Sequence, residues 1–236
     1  MLEAQSLNKS YGRQKVLDNV NLCFKSGQSI SLIGPNGSGK TTFLKCILGL
    51  VVPDSGEIFL SGLPISGKWD YRQRLGYMPQ IGRYPDNMRV GQLFDMILDI
   101  RMGRFKNLDR ELMESFEIEK FSDKSMRTLS GGMRQKVSAC LAFLFDPDIL
   151  ILDEPTAGLD PFSTEILKEK VLREKQKGKL VLITSHILSD LEELSSDVIY
   201  IMDGKVQFFK SIDELRAQTG EEKLNRALAR IMQEKN

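Results

Sequence analysis

The residues of this chain that are best suited to chemistry form a glycine-rich loop that ends in a lysine and a threonine. It has the spacing G-x-x-x-x-G-K-T and reads Gly34, Pro35, Asn36, Gly37, Ser38, Gly39, Lys40, Thr41, followed by Thr42. Glycine is needed where backbone N–H groups turn inward around an anion, because a Cβ would collide or forbid the required φ. The spacing predicts a loop for nucleotide phosphates, in which Lys40 reaches the β- and γ-phosphates and Thr41 offers a hydroxyl to Mg²⁺. A glycine-rich turn that matches by accident is the alternative.

An acidic pair farther along the chain offers the groups that such a loop lacks. Asp153 and Glu154 directly follow an apolar run at residues 149–152. Magnesium-dependent phosphate chemistry needs a carboxylate for the metal and a group that orients the attacking water. Because open α/β sheets bind ligands at the carboxyl ends of their strands, Asp153 is predicted to hold the metal and Glu154 to act as the base. A solvated acidic pair at a strand end is the structural alternative.

Three further polar segments are placed to contact a phosphate. Gln80 follows a short apolar strand pattern and could orient water or metal, and His186, the only histidine, follows another and could donate to a γ-phosphate. Ser130, Gly131 and Gly132 open a helical pattern, where backbone N–H groups form an anion-binding nest. A plain serine-capped helix would also explain those glycines, and a packed or surface histidine would explain His186.

The elements that must position these groups alternate between strands and helices. Apolar patterns predict strands at residues 2–7, 17–24, 29–33, 57–60, 75–78, 149–152 and 180–184. Helical periods predict helices at residues 90–101, at 107–116 after an N-cap at Asn107, at 132–145, and from Pro161 to about residue 176 after an N-cap at Asp160. This alternation indicates an α/β fold with a mostly parallel sheet.

The end of the chain carries turn and capping patterns. Asp203-Gly204 separates two apolar runs as a tight hairpin turn does. Capping boxes are predicted at residues 211–214 and 219–222, and the second would open an amphipathic helix through Leu224, Ala227, Leu228 and Ile231.

Composition limits the class of protein. The chain has 236 residues, which suits one domain, and 33 Lys and Arg against 32 Asp and Glu leave no basic field for nucleic acid. No apolar run approaches the roughly 18 residues of a membrane span, so we expect a cytosolic chain that reaches a membrane only through a partner. Cys23, Cys46 and Cys140 lie far apart among apolar residues, which predicts buried, reduced thiols and no metal cluster.

The order of these motifs resembles the ATP-binding cassette (ABC) ATPases of membrane transporters, over essentially residues 1–210. In that family's terms, Tyr11 resembles the aromatic residue that stacks on adenine, residues 34–41 the Walker A loop, Gln80 the glutamine loop, residues 129–133 the signature motif, Asp153 and Glu154 the Walker B pair, residues 158–160 the D-loop and His186 the switch histidine. The resemblance assigns catalysis to Lys40, Gln80, Glu154 and His186. It assigns Mg²⁺ to Thr41, Gln80 and Asp153, and nucleotide contacts to Tyr11, Asp160 and the two glycine-rich segments.

The resemblance also implies an architecture and partners. It implies an α/β P-loop NTPase (RecA-like) core, with a mostly parallel sheet, an antiparallel β subdomain and a helical subdomain at about residues 83–137. The ATPase domain would cover residues 1–216, followed by an amphipathic helical tail at 217–236. Two copies would dimerise head to tail around two Mg²⁺-ATP, each nucleotide held between one chain's Walker loop and the other chain's Ser130–Gly132. The partners would be integral membrane permease subunits, which would hold this chain peripherally at the cytoplasmic face of the inner membrane.

Finer features resemble the ABC-2-type exporters, in which a methionine such as Met133 is tolerated after the signature glycines. Residues 77–85, the 94–101 helix and the tail at 219–224 look most like the NosF-type ATPases, which serve assembly of the copper centres of nitrous oxide reductase. This match implies a copper- or sulfur-related cargo and a periplasmic accessory protein. The alternatives are a drug or lipid exporter, a soluble cassette protein of translation or DNA repair, and a nucleotide-binding scaffold without turnover.

Overall fold

A computed structural model describes residues 1–101 and 108–234 of the chain. Its strands are β1 (Leu2–Tyr11), β2 (Gln14–Phe24), β3 (Ser29–Ile33), β4 (Ser55–Leu60), β5 (Leu63–Pro64), β6 (Leu75–Met78), β7 (Ile149–Asp153), β8 (Leu180–Thr184), β9 (Asp197–Met202) and β10 (Lys205–Ser211). Its α-helices are α1 (Lys40–Ile47), α2 (Val90–Arg101), α3 (Glu111–Ser115), α4 (Gly131–Phe143), α5 (Pro161–Gln176), α6 (Leu188–Leu194), α7 (Ile212–Thr219) and α8 (Leu224–Glu234).

The strands of the described residues form two sheets. The larger has the order β10-β9-β3-β8-β7-β6, in which every pair is parallel except β10 with β9. The smaller is antiparallel, with the order β2-β1-β4-β5. The predicted α/β fold with a mostly parallel sheet and an antiparallel subdomain is therefore confirmed.

The larger sheet separates two hydrophobic clusters. Along β7, Ile149 and Ile151 belong to the cluster that also contains β1, β2 and α1, whereas Leu150 and Leu152 belong to the cluster of α4, α5 and α8. Successive side chains of a strand point to opposite faces, so a strand that is covered on both sides must be apolar throughout. This explains why β7 and β8 are continuous apolar runs.

Most predicted elements are present, but some differ from the structure. The helix predicted at 107–116 is only α3, which begins at Glu111 after Asp109 accepts a hydrogen bond from the Glu111 N–H (3.2 Å). The predicted N-cap at Asn107 lies outside the described residues. The predicted capping box at 219–222 is wrong, because Thr219 ends α7 and its hydroxyl donates to the Leu215 carbonyl (2.7 Å). Strand β5 and helix α6 were not predicted.

The cysteines follow the prediction only in part. Cys46 and Cys140 are buried, whereas Cys23 is exposed, because it alternates with the buried Leu22 and Phe24 along β2.

Two terminal features were predicted correctly. Asp203 and Gly204 both have positive φ, 49° and 75°, and join β9 to β10 as a tight hairpin. Ser211 and Glu214 form the reciprocal capping box of α7. Among the described residues, no helix combines the length and the apolar character that crossing a membrane requires.

Candidate active site

The phosphate-loop sequence lies between β3 and α1, and two of its glycines have no room for a side chain. Gly34 has φ 153° and Gly39, the N-cap of α1, has φ 108°. A Cβ on Gly34 would lie 2.0 Å from the Ile201 carbonyl oxygen, and one on Gly39 2.4 Å from that of Val16. The loop is therefore pressed against β9 and β2, and the first turn of α1 lines the adjoining cavity.

Lys40 extends across this loop. Its Nζ donates to the carbonyl oxygens of Gly34 (2.7 Å) and Pro35 (3.0 Å). Burial lowers the pKa of Lys40, while the charges of Asp153 and Glu154 oppose that shift. The hydroxyl of Ser38 is buried and has no hydrogen-bond partner within the described structure. The loop thus holds one cation and one polar group that anionic oxygens could satisfy.

The acidic pair stands at the end of β7, beside the end of β8. Asp153 is 6% exposed and accepts a hydrogen bond from the hydroxyl of Thr184. The N–H of Glu154 donates to the Thr184 carbonyl (3.0 Å) and to its hydroxyl (3.1 Å). Thr184 therefore orients both acidic residues. The sequence analysis missed it, although a hydroxyl that closes an apolar strand was a usable signal.

Glu154 has an unusual backbone and a histidine partner. Its φ of 52° lies in the left-handed region, which costs roughly 1–2 kcal/mol for a residue with a Cβ. The Nε2 atom of His186 lies 2.9 Å from the Glu154 carboxylate. The sharp turn after Asp153 thus directs the Glu154 side chain toward the loop that follows β8, where His186 is exposed.

One cavity of about 180 Å³ brings the two halves of the predicted site together. It is lined by Val16, Asn36, Gly37, Ser38, Gly39, Lys40, Thr41, Thr42, Gln80, Asp153, Glu154 and Thr184. Its lining includes groups that phosphoryl chemistry requires: a glycine-rich loop at the N-terminus of α1, a lysine and two carboxylates.

The donors in this cavity fit Mg²⁺. Thr41 contributes a hydroxyl, Gln80 an amide oxygen and Asp153 a carboxylate, and all three line the same space. Mg²⁺ prefers oxygen ligands and is held in such sites by one or two protein groups together with water and substrate phosphates. Three hard oxygen donors without a cysteine or histidine therefore match Mg²⁺ better than a softer metal.

Other predicted site residues do not line this cavity. Ser130 is exposed and caps α4, where its hydroxyl accepts a hydrogen bond from the Met133 N–H (3.3 Å), and Gly131 and Gly132 form the first turn. Tyr11 is 51% exposed at the end of β1, with Lys9 Nζ 5.6 Å from its ring centroid. Neither segment lines the cavity, although Tyr11 pairs with Gln14 of β2, the strand whose Val16 does line it.

Asp160 has a local structural task. It caps α5 by accepting hydrogen bonds from the Ser163 N–H (2.9 Å) and hydroxyl (2.7 Å), and Lys136 of α4 lies 3.1 Å from it. These contacts, Ser163 first and then Lys136, lower the pKa of Asp160. The predicted cap is confirmed, and Asp160 also links the loop after β7 to the start of α4.

Gln135 is a second residue that the sequence analysis missed. It is 4% exposed on α4, and its Nε2 donates to the carbonyl oxygens of Glu154 (3.2 Å) and Pro155 (3.3 Å). A glutamine two positions after Met133 gives little signal by itself, since helix surfaces commonly carry glutamine. Its partners became visible only when α4 was placed against β7.

Sequence comparisons agree with this geometry. A protein-family model described as ABC transporter matches residues 17–157. The chain is 34% identical over 209 residues to the Nod factor export ATP-binding protein I of Ralstonia nicotianae, covering 87% of this chain and 65% of that protein. It is 36% identical over 215 residues to the protein of that name from Cupriavidus metallidurans, covering 87% and 69%. The chain thus spans about two thirds of the length of these relatives.

Solved structures show the same fold. One described as the ATP-binding subunit of an ABC transporter has a TM-score of 0.89 and 29% identity, and the match covers 98% of this chain and 99% of that one. A dimeric ATP-binding cassette in a post-hydrolysis state, bound to ADP and Pi, has a TM-score of 0.78 at 24% identity and covers 90% of this chain.

Proposed function

The chain belongs to the ABC transporter family as an ATPase cassette, and from this premise we propose that it powers export through separate membrane permease subunits. The observation that carries the proposal is the single cavity that joins the loop of residues 36–42 to Gln80, Asp153 and Glu154. The relatives from Ralstonia and Cupriavidus are named for Nod factor export, which supports an export role. Nod factor is the cargo in the names of those relatives, and it is not proposed as the cargo of this chain.

At the phosphate end, the residues divide the work of hydrolysis. Lys40, released from the loop carbonyls, binds the β- and γ-phosphates, while the N–H groups of α1's first turn add the positive end of a helix. Thr41, Gln80 and Asp153 would hold Mg²⁺, which would neutralise charge on the phosphates. Glu154 accepts the proton of the attacking water, and His186 holds the γ-phosphate and the Glu154 carboxylate in place.

We further propose that two copies complete each site. Ser130 and the first turn of α4 present an anion-binding helix end, yet they lie outside their own chain's cavity. A head-to-tail dimer would place this end of one chain over the phosphate loop of the other, and Tyr11 beside the adenine. The cassette of the same fold that binds ADP and Pi is a dimer, which supports this arrangement.

Permease subunits would dock beside helices α2 and α4, at the cytoplasmic face of the inner membrane. A groove of about 280 Å³ lies between the end of α1, β6, α2 and α4. Its lining includes Leu50, which is 61% exposed, together with Tyr77, Ile97 and Arg101. Exposed apolar surface beside a nucleotide site suits a partner helix, and the segment from Gln80 to Arg101 joins the cavity to this groove.

The finer proposal concerns cargo. The resemblance of residues 77–85 and of the 219–224 tail to NosF-type ATPases supports a role in maturing the copper centres of nitrous oxide reductase, with a periplasmic accessory protein. Export of a drug or lipid by an ABC-2-type complex is the competing assignment, and the export names of the relatives favour it. On either assignment we expect copper to bind partners rather than this chain, whose one His and three scattered Cys make a poor soft-ligand cluster.

The experiment that tests the function uses Glu154→Gln. The wild-type chain should hydrolyse Mg²⁺-ATP. The Glu154→Gln variant should bind Mg²⁺-ATP but hydrolyse it at least 100-fold more slowly, which is the usual size of a general-base effect. This variant should also accumulate as a dimer in light scattering. Adding Ser130→Phe should return that dimer to monomer, and Glu169→Gln, on the exposed side of α5, serves as the matched control. A wild-type chain that binds ATP without turnover would favour a scaffold.

A further inference from the structure

The side chain of Gln135 joins the helix that begins at Ser130 to the main chain of Glu154. It projects from the second turn of α4 and is almost fully buried, so its amide needs internal partners. Its Nε2 atom finds two, the carbonyl oxygens of Glu154 at 3.2 Å and of Pro155 at 3.3 Å. Both acceptors belong to the turn that directs the Glu154 carboxylate into the cavity.

That turn is held from two sides. On one side, the Glu154 N–H donates to the carbonyl and hydroxyl oxygens of Thr184 at the end of β8. On the other side, the Glu154 carbonyl is held by Gln135. A left-handed φ of 52° on a residue with a side chain persists only where its surroundings fix it. Thr184 belongs to the sheet, whereas Gln135 belongs to a helix that packs beside it, so the two ties can shift relative to one another.

The start of α4 touches the same loop at further points. A Cβ on Gly132 would lie 2.7 Å from the Gly158 carbonyl oxygen, and Lys136 lies 3.1 Å from Asp160. Gly132, Gln135 and Lys136, all in the first two turns of α4, therefore lie against residues 154–160. A small movement of this helix end would therefore reach Glu154 through a direct hydrogen bond.

We propose that Gln135 is a positioning residue for Glu154, which transmits the position of the Ser130 end of α4 to the general base of its own chain. The proposal rests on the function proposed above, in which that helix end binds the nucleotide held by the other chain. Occupation of one site would thus set the orientation of the base in the other. Gln135 does not line the cavity, so its effect on hydrolysis would pass through Glu154.

The first test replaces the donor by a side chain of similar length that cannot donate, Gln135→Met. We expect kcat for ATP hydrolysis by the full-length chain to fall at least tenfold, while ATP affinity measured by calorimetry stays within twofold. Gln135→His restores an N–H at a similar reach and should recover part of kcat. Val137→Ala, also buried on α4, is the packing control, and it should lower the melting temperature and leave kcat unchanged well below that temperature.

The second test is a double-mutant cycle, which separates positioning of Glu154 from general damage to α4. If Gln135 acts through the Glu154 carboxylate, Gln135→Met should cause no further loss of residual hydrolysis in the Glu154→Gln background. Additive losses, or a loss of kcat in Val137→Ala as large as that in Gln135→Met, would overturn the proposal. So would full kcat in Gln135→Met. A wild-type chain without hydrolysis would instead overturn the proposed function.

Discussion

The ammonium of Lys40 is held inside the loop of residues 34–41. The carbonyls of Gly34 and Pro35 accept its hydrogen bonds, and the carboxylates of Asp153 and Glu154 stabilise its charge. Carbonyl oxygens are weaker partners than phosphate oxygens, whose bonds to an ammonium are charge-assisted. Phosphates entering the cavity would therefore replace these carbonyls as the partners of Lys40.

Lys40→Ala should weaken ATP binding by at least tenfold. Each hydrogen bond to a charged group contributes roughly 1.5–3 kcal/mol, and tenfold corresponds to about 1.4 kcal/mol. Calorimetry with Mg²⁺-ATP measures the effect, and Lys45→Ala, exposed on the same helix, is the matched control and should bind like the wild type. Equal affinities of the two variants would remove Lys40 from the phosphate site.

Helix α5 is anchored by a cluster of buried charges. Glu174 is fully buried and forms ion pairs with Lys170 (2.9 Å), Lys177 (2.8 Å) and Lys179. Lys170 also pairs with Asp109 and with Glu111 (2.7 Å), at the start of α3. The cluster therefore links the start of α3 to α5 and to the beginning of β8. Breaking one partner of such a buried set leaves an uncompensated charge, which is strongly destabilising.

Glu174 should make stability depend on acid pH. Burial alone would raise its pKa, but the three lysines outweigh that effect and lower the pKa from 4.5 to about 2. Because the folded-state pKa is depressed, the stabilisation is present above pH 4.5 and is lost as the pH falls toward 2. The urea midpoint, measured from pH 6 to pH 3, should fall less steeply in Glu174→Gln, from a lower neutral value.

The control for this pH dependence is Glu169→Gln, which removes an exposed carboxylate from the same helix. It should keep the wild-type slope and a midpoint close to that of the wild type, since surface ion pairs contribute little. Parallel pH profiles for wild type and Glu174→Gln would show that the lysine cluster does not hold this carboxylate in its charged form.

Helix α8 belongs to the main core. Leu224, Ala227, Leu228 and Ile231 are buried in the same hydrophobic cluster as α4 and α5. Glu192 of α6 accepts hydrogen bonds from the Leu224 N–H (3.3 Å) and from Arg216 (2.7 Å). Helix α8 is therefore tied to α6, which begins two residues after His186.

Leu228→Ala should destabilise the chain by about 2–5 kcal/mol, the usual cost of truncating a buried leucine. Thermal unfolding monitored by circular dichroism measures this loss. Arg226→Ala, exposed on the same helix, should melt like the wild type. If both variants melt with the wild type, α8 does not contribute to the cooperative core.

At the scale of the whole molecule, the nucleotide cavity and the proposed permease groove lie at the two ends of one segment. Gln80 lines the cavity, and Ile97 and Arg101 of α2 line the groove. Between them, Tyr84 bonds to Ser138 of α4 (2.7 Å), and Asp86 lies 3.8 Å from Arg134 of the same helix. Movement of α4 or of Gln80 would therefore displace this segment, together with any partner docked on it.

Cysteine placed at Asp86 should cross-link to the co-expressed permease in a cysteine-light background, with a yield that depends on nucleotide. Asp86 is exposed and lies in the segment that contacts α4. Cysteine at Glu3, in the smaller sheet, provides the comparison on another face. Nucleotide-insensitive cross-linking at Asp86, alongside strong cross-linking from the other face, would contradict coupling through this segment.

Features with a local cause could be predicted from the amino-acid sequence. Glycine spacing between a strand and a helix gave the loop at 34–41, continuous apolar runs gave β7 and β8, and side-chain caps gave the starts of α4, α5 and α7. Each depends on residues within a few positions of one another, so period, capping and backbone sterics suffice to predict it.

Contacts between distant segments could not be predicted from the sequence and became evident in the folded structure. Thr184 reaches Asp153 across 31 residues and Gln135 reaches Glu154 across 19, so neither pairing has a local pattern. Thr219 has the sequence of a helix start, yet it ends α7, because the chain continues its helical hydrogen bonds to Gly220. Strand pairing, helix packing and burial select among locally acceptable conformations, and those energies depend on which surfaces meet.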